Sequence, residues 1–223
     1  MKIYLDPIST TSRALLLFLD DHDMQAEIVP IALFKGEHLS ADYAMLNPNK
    51  CVPMLDDEGF MLTECSAILK YLAEKAGSPT YPHDLQARAR VNAMMDWFNT
   101  GFYRDHGYGV VYPQVFPHVR FENPVVQNGV VTRGEELAAR WLAILNAHWL
   151  QPGPYVCGGE ISIADYMGAC FVSIGEWVGF DMSPYPAVTA WLDRMKERLS
   201  WSKTQGIWNE FTASLQAPAQ ETA

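Results

Sequence analysis

Residues 47–71 read NPNKCVPMLDDEGFMLTECSAILKY. They give a loop, a short apolar strand over Pro53–Leu55, a turn on Asp57-Glu58-Gly59, a second strand over Phe60–Leu62 and a helix from about Glu64. A hairpin that feeds a helix is generic, but two details narrow it. Val52-Pro53 enters a strand at a residue with no N–H. A cis bond there turns the Val52 backbone outward, where its N–H and C=O can pair with a peptide ligand. The polar triplet Glu64-Cys65-Ser66 opens the helix, whose unpaired N–H groups and positive dipole end suit a carboxylate. The stretch describes a pocket for a small, anionic, peptide-like molecule.

Upstream, Lys2–Leu5 (KIYL) forms a strand, broken by Asp6-Pro7. A helix follows, with Leu15, Leu16, Phe18 and Leu19 as its apolar face and the hydroxyls of Ser9-Thr10-Thr11-Ser12 as cap candidates. Ala26–Leu33 is a second strand. The order strand, helix, strand, then hairpin and helix is the α/β thioredoxin-like arrangement. Downstream, Gly77–Asp84 (GSPTYPHD) is rich in turn residues, and after it helical periodicity takes over: Leu85 to about Tyr103, a segment around Val110–Val119, Gly134–Leu150, and Val188–Leu199. Ser162-Ile163-Ala164-Asp165 reads as an acidic capping box. The chain thus divides into an N-terminal domain over residues 1–78 and an all-α C-terminal domain over residues 86–223. The polar tail from Ala213 is expected to fray.

Composition removes several function classes. Of 223 residues, 49% are apolar and 19% charged, with a net charge of −10, so neither nucleic acid nor an acidic membrane surface is an expected partner. No apolar run reaches membrane-spanning length, and Met1-Lys2-Ile3-Tyr4 enters a strand pattern without a signal-peptide core; a cytoplasmic protein is expected. Cys51, Cys65, Cys157 and Cys170 lack CxxC or zinc-finger spacing, which points to reduced thiols and away from a metal site or a disulfide scaffold. An anionic ligand then needs locally placed positive charge. Arg13, Lys35, His38 and Lys50 supply it in the first quarter of the chain.

Asn47-Pro48, Val52-Pro53, Leu55, Asp57, Leu62, Glu64-Cys65, Ala67-Ile68 and Tyr71-Leu72 together resemble an ordered pattern of the glutathione transferase family, in its theta-like and delta-like, serine-type and bacterial forms. The likeness extends over residues 2–210 and includes Lys35–Ser40 (KGEHLS), the S-x-A-D run at Ser162–Asp165 and the helix from Val188. The resemblance implies glutathione as co-substrate, a homodimer and a set of site residues. Ser9, four residues before Arg13, falls where the family has its catalytic serine, with Thr10 and Ser12 as alternatives. A hydroxyl near a helix start can donate to a bound thiol and favour its thiolate. His38 and Lys50 fall on positions that contact the glycine carboxylate. Val52 and Pro53 present the backbone pairing edge, Glu64 falls on the partner of the γ-glutamyl ammonium, and the Cys65 N–H faces the α-carboxylate. Cys65 stands where the family usually has serine, and its place at a helix start makes it a candidate for a lowered thiol pKa. Asp96 and Asn99 match a region that reaches the neighbouring subunit's ligand.

The electrophile is expected against the first two helices of the helical domain. There Tyr103, His106, Tyr108 and Tyr112 cluster, with glycines that bend or interrupt the helix, and aromatic walls suit a small apolar electrophile. The leading expectation is a glutathione transferase acting by substitution or addition, with no metal. The alternatives are a glutathione-dependent disulfide or peroxide reductase, which Thr10 and Thr11 keep open, and a non-catalytic binding or regulatory protein of the same fold.

Overall fold

The computed structural model describes residues 1–216. Strands β1 (Lys2–Leu5), β2 (Glu27–Pro30), β3 (Met54–Asp57) and β4 (Phe60–Thr63) form one sheet in the order β2-β1-β3-β4. The β1 and β2 strands are parallel, joined through α1 (Thr10–Asp21), while β3 is antiparallel to both β1 and β4. The β3–β4 hairpin closes on Glu58 and Gly59, both with positive φ (55° and 91°). That backbone pair matches the twist of a two-residue hairpin, and glycine takes the second place without steric cost. The α3 helix (Cys65–Lys75) follows at once and packs with α1 against the sheet.

Register decides where the loops emerge. Tyr4 pairs with Met54, and Met54 pairs with Thr63. The loop after β1, the Val52-Pro53 segment before β3 and the β4–α3 junction therefore leave the sheet at one end.

The helical half begins with α4 (Leu85–Asp96), which runs on through π-helical turns at Trp97–Phe102 and Arg104–Val111 into α5 (Tyr112–Val115). The expected interruption around Gly107 and Gly109 is thus a widening of one long helix. The α6 helix (Pro124–Ile144) crosses it where Gly134 meets Gly109; a Cβ on Gly134 would lie 2.5 Å from the Gly109 backbone, so only glycine fits. Sequence periodicity placed this helix from Gly134. Its valine-rich first ten residues are held by Asn123, whose side chain accepts from the Val125 and Val126 N–H groups, and by Pro124 in the first turn. The short α2 helix (Ala41–Leu46) and the two 3₁₀ turns before it were not foreseen either. Helix α9 (Leu199–Gln216) continues through Ala213–Gln216, and the remainder of the expected frayed tail lies outside the described residues.

At the centre is α7 (Ile163–Ser173), with every residue buried and packed on α1, α3, α4 and α8 (Pro186–Lys196). Its first turn has the acidic half of the capping box in place. The fully buried Asp165 carboxylate accepts from the Ser162 N–H (2.8 Å), the Ser162 hydroxyl (2.8 Å), the Val156 N–H (2.9 Å) and the Trp191 indole N–H (2.9 Å). These four donors answer the cost of burying the group. Removing the acceptor strands at least three buried N–H donors. Asp165→Ala is expected to lower stability by ~3 kcal/mol or more, read as a drop in the urea midpoint; an unchanged midpoint contradicts this account of the α7 start.

Candidate active site

Asp6 shapes the loop after β1. Its carboxylate accepts from the Ile8 N–H and the Leu33 N–H, both at 3.0 Å. The chain then turns into α1 with Ser9 as N-cap. The Ser9 Oγ is 3.4 Å from the Ser12 N–H it accepts from and 3.1 Å from the Thr11 Oγ1. Thr11 in turn donates to the Val52 carbonyl (3.2 Å), bridging the serine loop to the Val52-Pro53 segment, whose peptide bond is cis. Tyr43 and Asn47 hold the other side of that segment through the Cys51 carbonyl, each at 2.7 Å.

Ser9, Val52, Pro53, Glu64, Cys65, Lys50 and His38 all border one cavity of about 590 Å³. The opposite wall is the helical half: Tyr103, Tyr108, Tyr112, Phe116 and Trp177, with Asn99, Arg104 and His118 at its edges. The backbone of Glu64 is unusual, with φ 72° and ψ 116°. A non-glycine residue is held at such an angle only where its surroundings impose it, and such strain clusters at ligand clamps. Glu64 is exposed at the cavity edge, and Cys65 and Ser66 in the first turn of α3, where helical N–H groups lack intrahelical partners, also border the cavity. The His38 Nδ1 is buried and unpaired among the described residues, at a cavity edge with room for an acceptor. Lys50 is exposed, in the left-handed region at φ 54°.

Several expectations are corrected. His106 does not face the cavity. It is fully buried behind the helix, stacked on Phe102 (4.9 Å between ring centroids), edge-on to Phe180 (5.3 Å) and against Gly175, and burial pushes its imidazole down to about 4. Tyr103, Tyr108 and Tyr112 follow one face of the widened helix; His106 falls on the other. Arg13 offers no charge to the site, because its guanidinium is sandwiched between the indoles of Trp201 (4.1 Å) and Trp208 (3.9 Å) and donates to Thr204 and Gln205 of α9. Lys35 is not among the cavity residues. Ser12 is buried away from the cavity, and Thr10 Oγ1 is engaged with the Tyr112 hydroxyl at 2.9 Å. Cys65 turns its thiol inward to the Thr11 carbonyl (3.2 Å), and burial pushes that thiol's pKa up, opposite to the lowering expected at a helix start. Sequence reasoning missed Phe116, Trp177 and the bridging role of Thr11. Thr11 alone carried a local signal, as a hydroxyl in the serine loop.

One cavity thus joins a hydroxyl at a helix N-cap, the Val52 backbone before a cis proline and a helix start with a positive-φ cap residue, on a thioredoxin-like fold and under aromatics of an all-helical domain. Residues 2–74 match the family profile "Glutathione S-transferase, N-terminal domain" and residues 130–198 match "Glutathione S-transferase, C-terminal domain". Glutathione S-transferase theta-1 of Mus musculus is 33% identical over 208 residues, covering 88% of this chain and 82% of the mouse protein. The fold superposes on human glutathione S-transferase T1-1 in its apo form with a TM-score of 0.83 at 29% identity, covering 99% and 93% of the two chains. Human glutathione transferase theta-2, solved with glutathione and an unknown ligand, gives a TM-score of 0.83 at 27% identity, covering 99% and 91%. The chain belongs to the glutathione S-transferase family, with theta-class relatives.

Thiol accessibility tests the site's inner geometry. Cys51 is exposed at the cavity mouth, Cys157 is half-buried, and Cys65 and Cys170 are buried. A small neutral alkylating reagent at neutral pH is expected to modify Cys51 first and to reach Cys65 and Cys170 only on unfolding, as mapped by peptide mass spectrometry. Labelling of Cys65 in the folded protein at the Cys51 rate contradicts the inward thiol.

Proposed function

We propose that this glutathione transferase binds glutathione along the sheet end and uses Ser9 to hold its thiolate for attack on an apolar electrophile under the aromatic wall. The observation that carries this reading is the Ser9 hydroxyl, at the α1 N-cap on the same cavity face as Val52 and the start of α3. Val52 pairs with the cysteinyl backbone. Glu64 takes the γ-glutamyl ammonium, and the N–H groups of Cys65 and Ser66 with the α3 dipole take the α-carboxylate. Because the Cys65 thiol is committed to the Thr11 carbonyl, this carboxylate receives N–H donors without the added hydroxyl a serine offers. His38 and Lys50 take the glycine carboxylate. Arriving at the N-terminus of α1, the thiol accepts a hydrogen bond from Ser9, and each unit by which its pKa falls corresponds to ~1.4 kcal/mol of preference for the thiolate.

The thiolate then displaces a leaving group or adds to an activated double bond, and the reaction requires no metal. The working unit is a cytoplasmic homodimer, with residues 1–78 as the glutathione-binding domain and 86–223 as the electrophile-binding domain. Thr11 is a second thiol partner within this reading, since its Oγ1 lies 3.1 Å from that of Ser9.

Ultraviolet difference spectra of bound glutathione, titrated with pH, test the assignment. The protein is expected to show thiolate absorbance near neutral pH, and Ser9→Ala is expected to move its onset upward by one or more pH units. Loss of the signal on Thr11→Ala with Ser9→Ala unaffected transfers the role to Thr11. Glutathione binding without any thiolate overturns the transferase assignment in favour of a non-catalytic binder.

A further inference from the structure

His106 borders no part of the cavity, and its ring is unsatisfied at both ends. The residue is fully buried, and among the described residues neither Nδ1 nor Nε2 has a hydrogen-bond partner. A neutral imidazole carries one donor and one acceptor, and buried polar atoms are ordinarily paired. The enclosure here is apolar instead. Phe102 stacks on the ring with an interplanar angle of 24°, Phe180 stands edge-on to it, and Gly175 closes one end, where a Cβ would lie 3.0 Å from the ring.

No charge is placed to hold a proton on this ring. Burial and the Val172 backbone are the two influences on it, and the second falls short of a hydrogen bond. On its own helix the Asp105 carboxylate is engaged by Arg104 and the Trp141 indole, and burial raises the phenols of Tyr103, Tyr108 and Tyr112, so they stay neutral. In the 3₁₀ turn Ile174–Val178, Glu176 is exposed and pairs with Lys196 of α8, and beyond it Asp181 is exposed and accepts from the Ser183 N–H. The charged residues of α6 nearest the crossing, Arg133, Glu135, Glu136 and Arg140, are all exposed. In α7, burial pushes the Cys170 thiol up, and Asp165 lies two turns before Val172 among its own donors. A proton added in place would therefore be a buried cation without a counter-charge. An exposed imidazole takes its proton near 6.5, whereas burial holds this one down to about 4. Between those values the ring binds one more proton outside its enclosure than inside, so the enclosed state is favoured above 6.5 and loses ground as pH falls.

The segment that carries the ring depends on its packing. Arg104–Val111 is π-helical and reads RDHGYGVV, with Gly107 and Gly109 on either side of Tyr108. Glycine weakens a helix interior, and π-helical turns are rare and frequent at functional positions, so side-chain contacts rather than backbone preference hold this stretch. Gly107 directly follows His106, and the Tyr103 ring lies over it, where a Cβ would come within 2.7 Å of that ring. A His106 ring that leaves its enclosure moves Gly107 and removes the seat of Tyr103. We propose that His106 is an acid-released catch for the aromatic wall of the cavity: as pH falls its ring leaves Phe102 and Phe180 for water and a proton, and the helix from Tyr103 to Tyr112 opens with it, while the sheet end that carries Ser9 stays folded. Neutralisation returns the ring and the wall. The device is independent of what the cavity binds.

Hydrogen exchange of the intact protein tests it, read by peptide mass spectrometry at pH 7 and pH 5 and corrected for the intrinsic exchange rate at each pH. The opening ratio of the amides from Tyr103 to Tyr112 is expected to rise ~20-fold from pH 7 to pH 5, as linkage through one histidine displaced between these limits requires. The amides of β1, β3 and β4 are expected to keep their protection. In His106→Leu, which keeps the bulk and loses the titrating group, the rise is expected to stay below ~3-fold. His106→Asn makes the same comparison if His106→Leu does not fold. An equal rise in the intact protein and the variant, no rise in the intact protein, or a rise shared equally by the strands overturns the proposal.

Discussion

A single row of strand pairing, Tyr4 to Met54 to Thr63, is the constraint on which the site depends. Five residues beyond Tyr4 comes Ser9, directly before Met54 come Val52 and Pro53, and directly after Thr63 comes Glu64. Three segments far apart in sequence are thereby brought to one end of the sheet. A slip of one residue in this register would turn the buried faces of β3 outward and carry the segments out of line. Thr11 fastens two of them a second time through the Val52 carbonyl, and the Cys65 thiol fastens the third through the Thr11 carbonyl. The strained backbone at Glu64 is tolerable because β4 and α3 fix it from both sides.

The helical half supplies the other wall and much of its rigidity. Buried α7 carries Phe171, which supports Tyr103, and its start is anchored by the Asp165 carboxylate. The α9 helix is coupled to the serine loop through Arg13, which sits one turn after Ser9 and donates its N–H to the Ser9 carbonyl (2.9 Å) while its guanidinium lies between Trp201 and Trp208. A buried cation held by two indole faces and two side-chain oxygens substitutes for an ion pair. The residue that lay in sequence like a ligand contact is therefore a tie between the loop after β1 and the C-terminal helix.

What was legible in the sequence was local. The hairpin turn, the strand pattern, the two helix starts and the family motif all lie within runs of a few residues, where propensity and spacing act. They fixed the thioredoxin-like order and gathered Ser9, His38, Lys50, Val52, Pro53, Glu64 and Cys65, all of which border one cavity. The errors arose wherever orientation depended on packing between distant elements. His106 and Tyr103 stand three residues apart, and only the π-helical widening decides which one faces the cavity. The thiol of Cys65 had a helix start to lower its pKa, yet burial under Thr11 dominates. Trp177 reaches the cavity from a segment with no motif at all. The first ten residues of α6 escaped because β-branched residues and Gly129 weaken the helical pattern, although Asn123-Pro124 signals the start.

The central claim is that the strained β4–α3 junction reads the γ-glutamyl end of the peptide. Calorimetric titration of glutathione and of its analogue lacking the α-amino group, against the protein and its Glu64→Gln variant, tests it most directly. The account predicts that loss of the ammonium weakens binding to the unaltered protein by roughly tenfold and changes binding to Glu64→Gln far less. An equal loss in both proteins would contradict the pairing and detach the strained residue from ligand recognition.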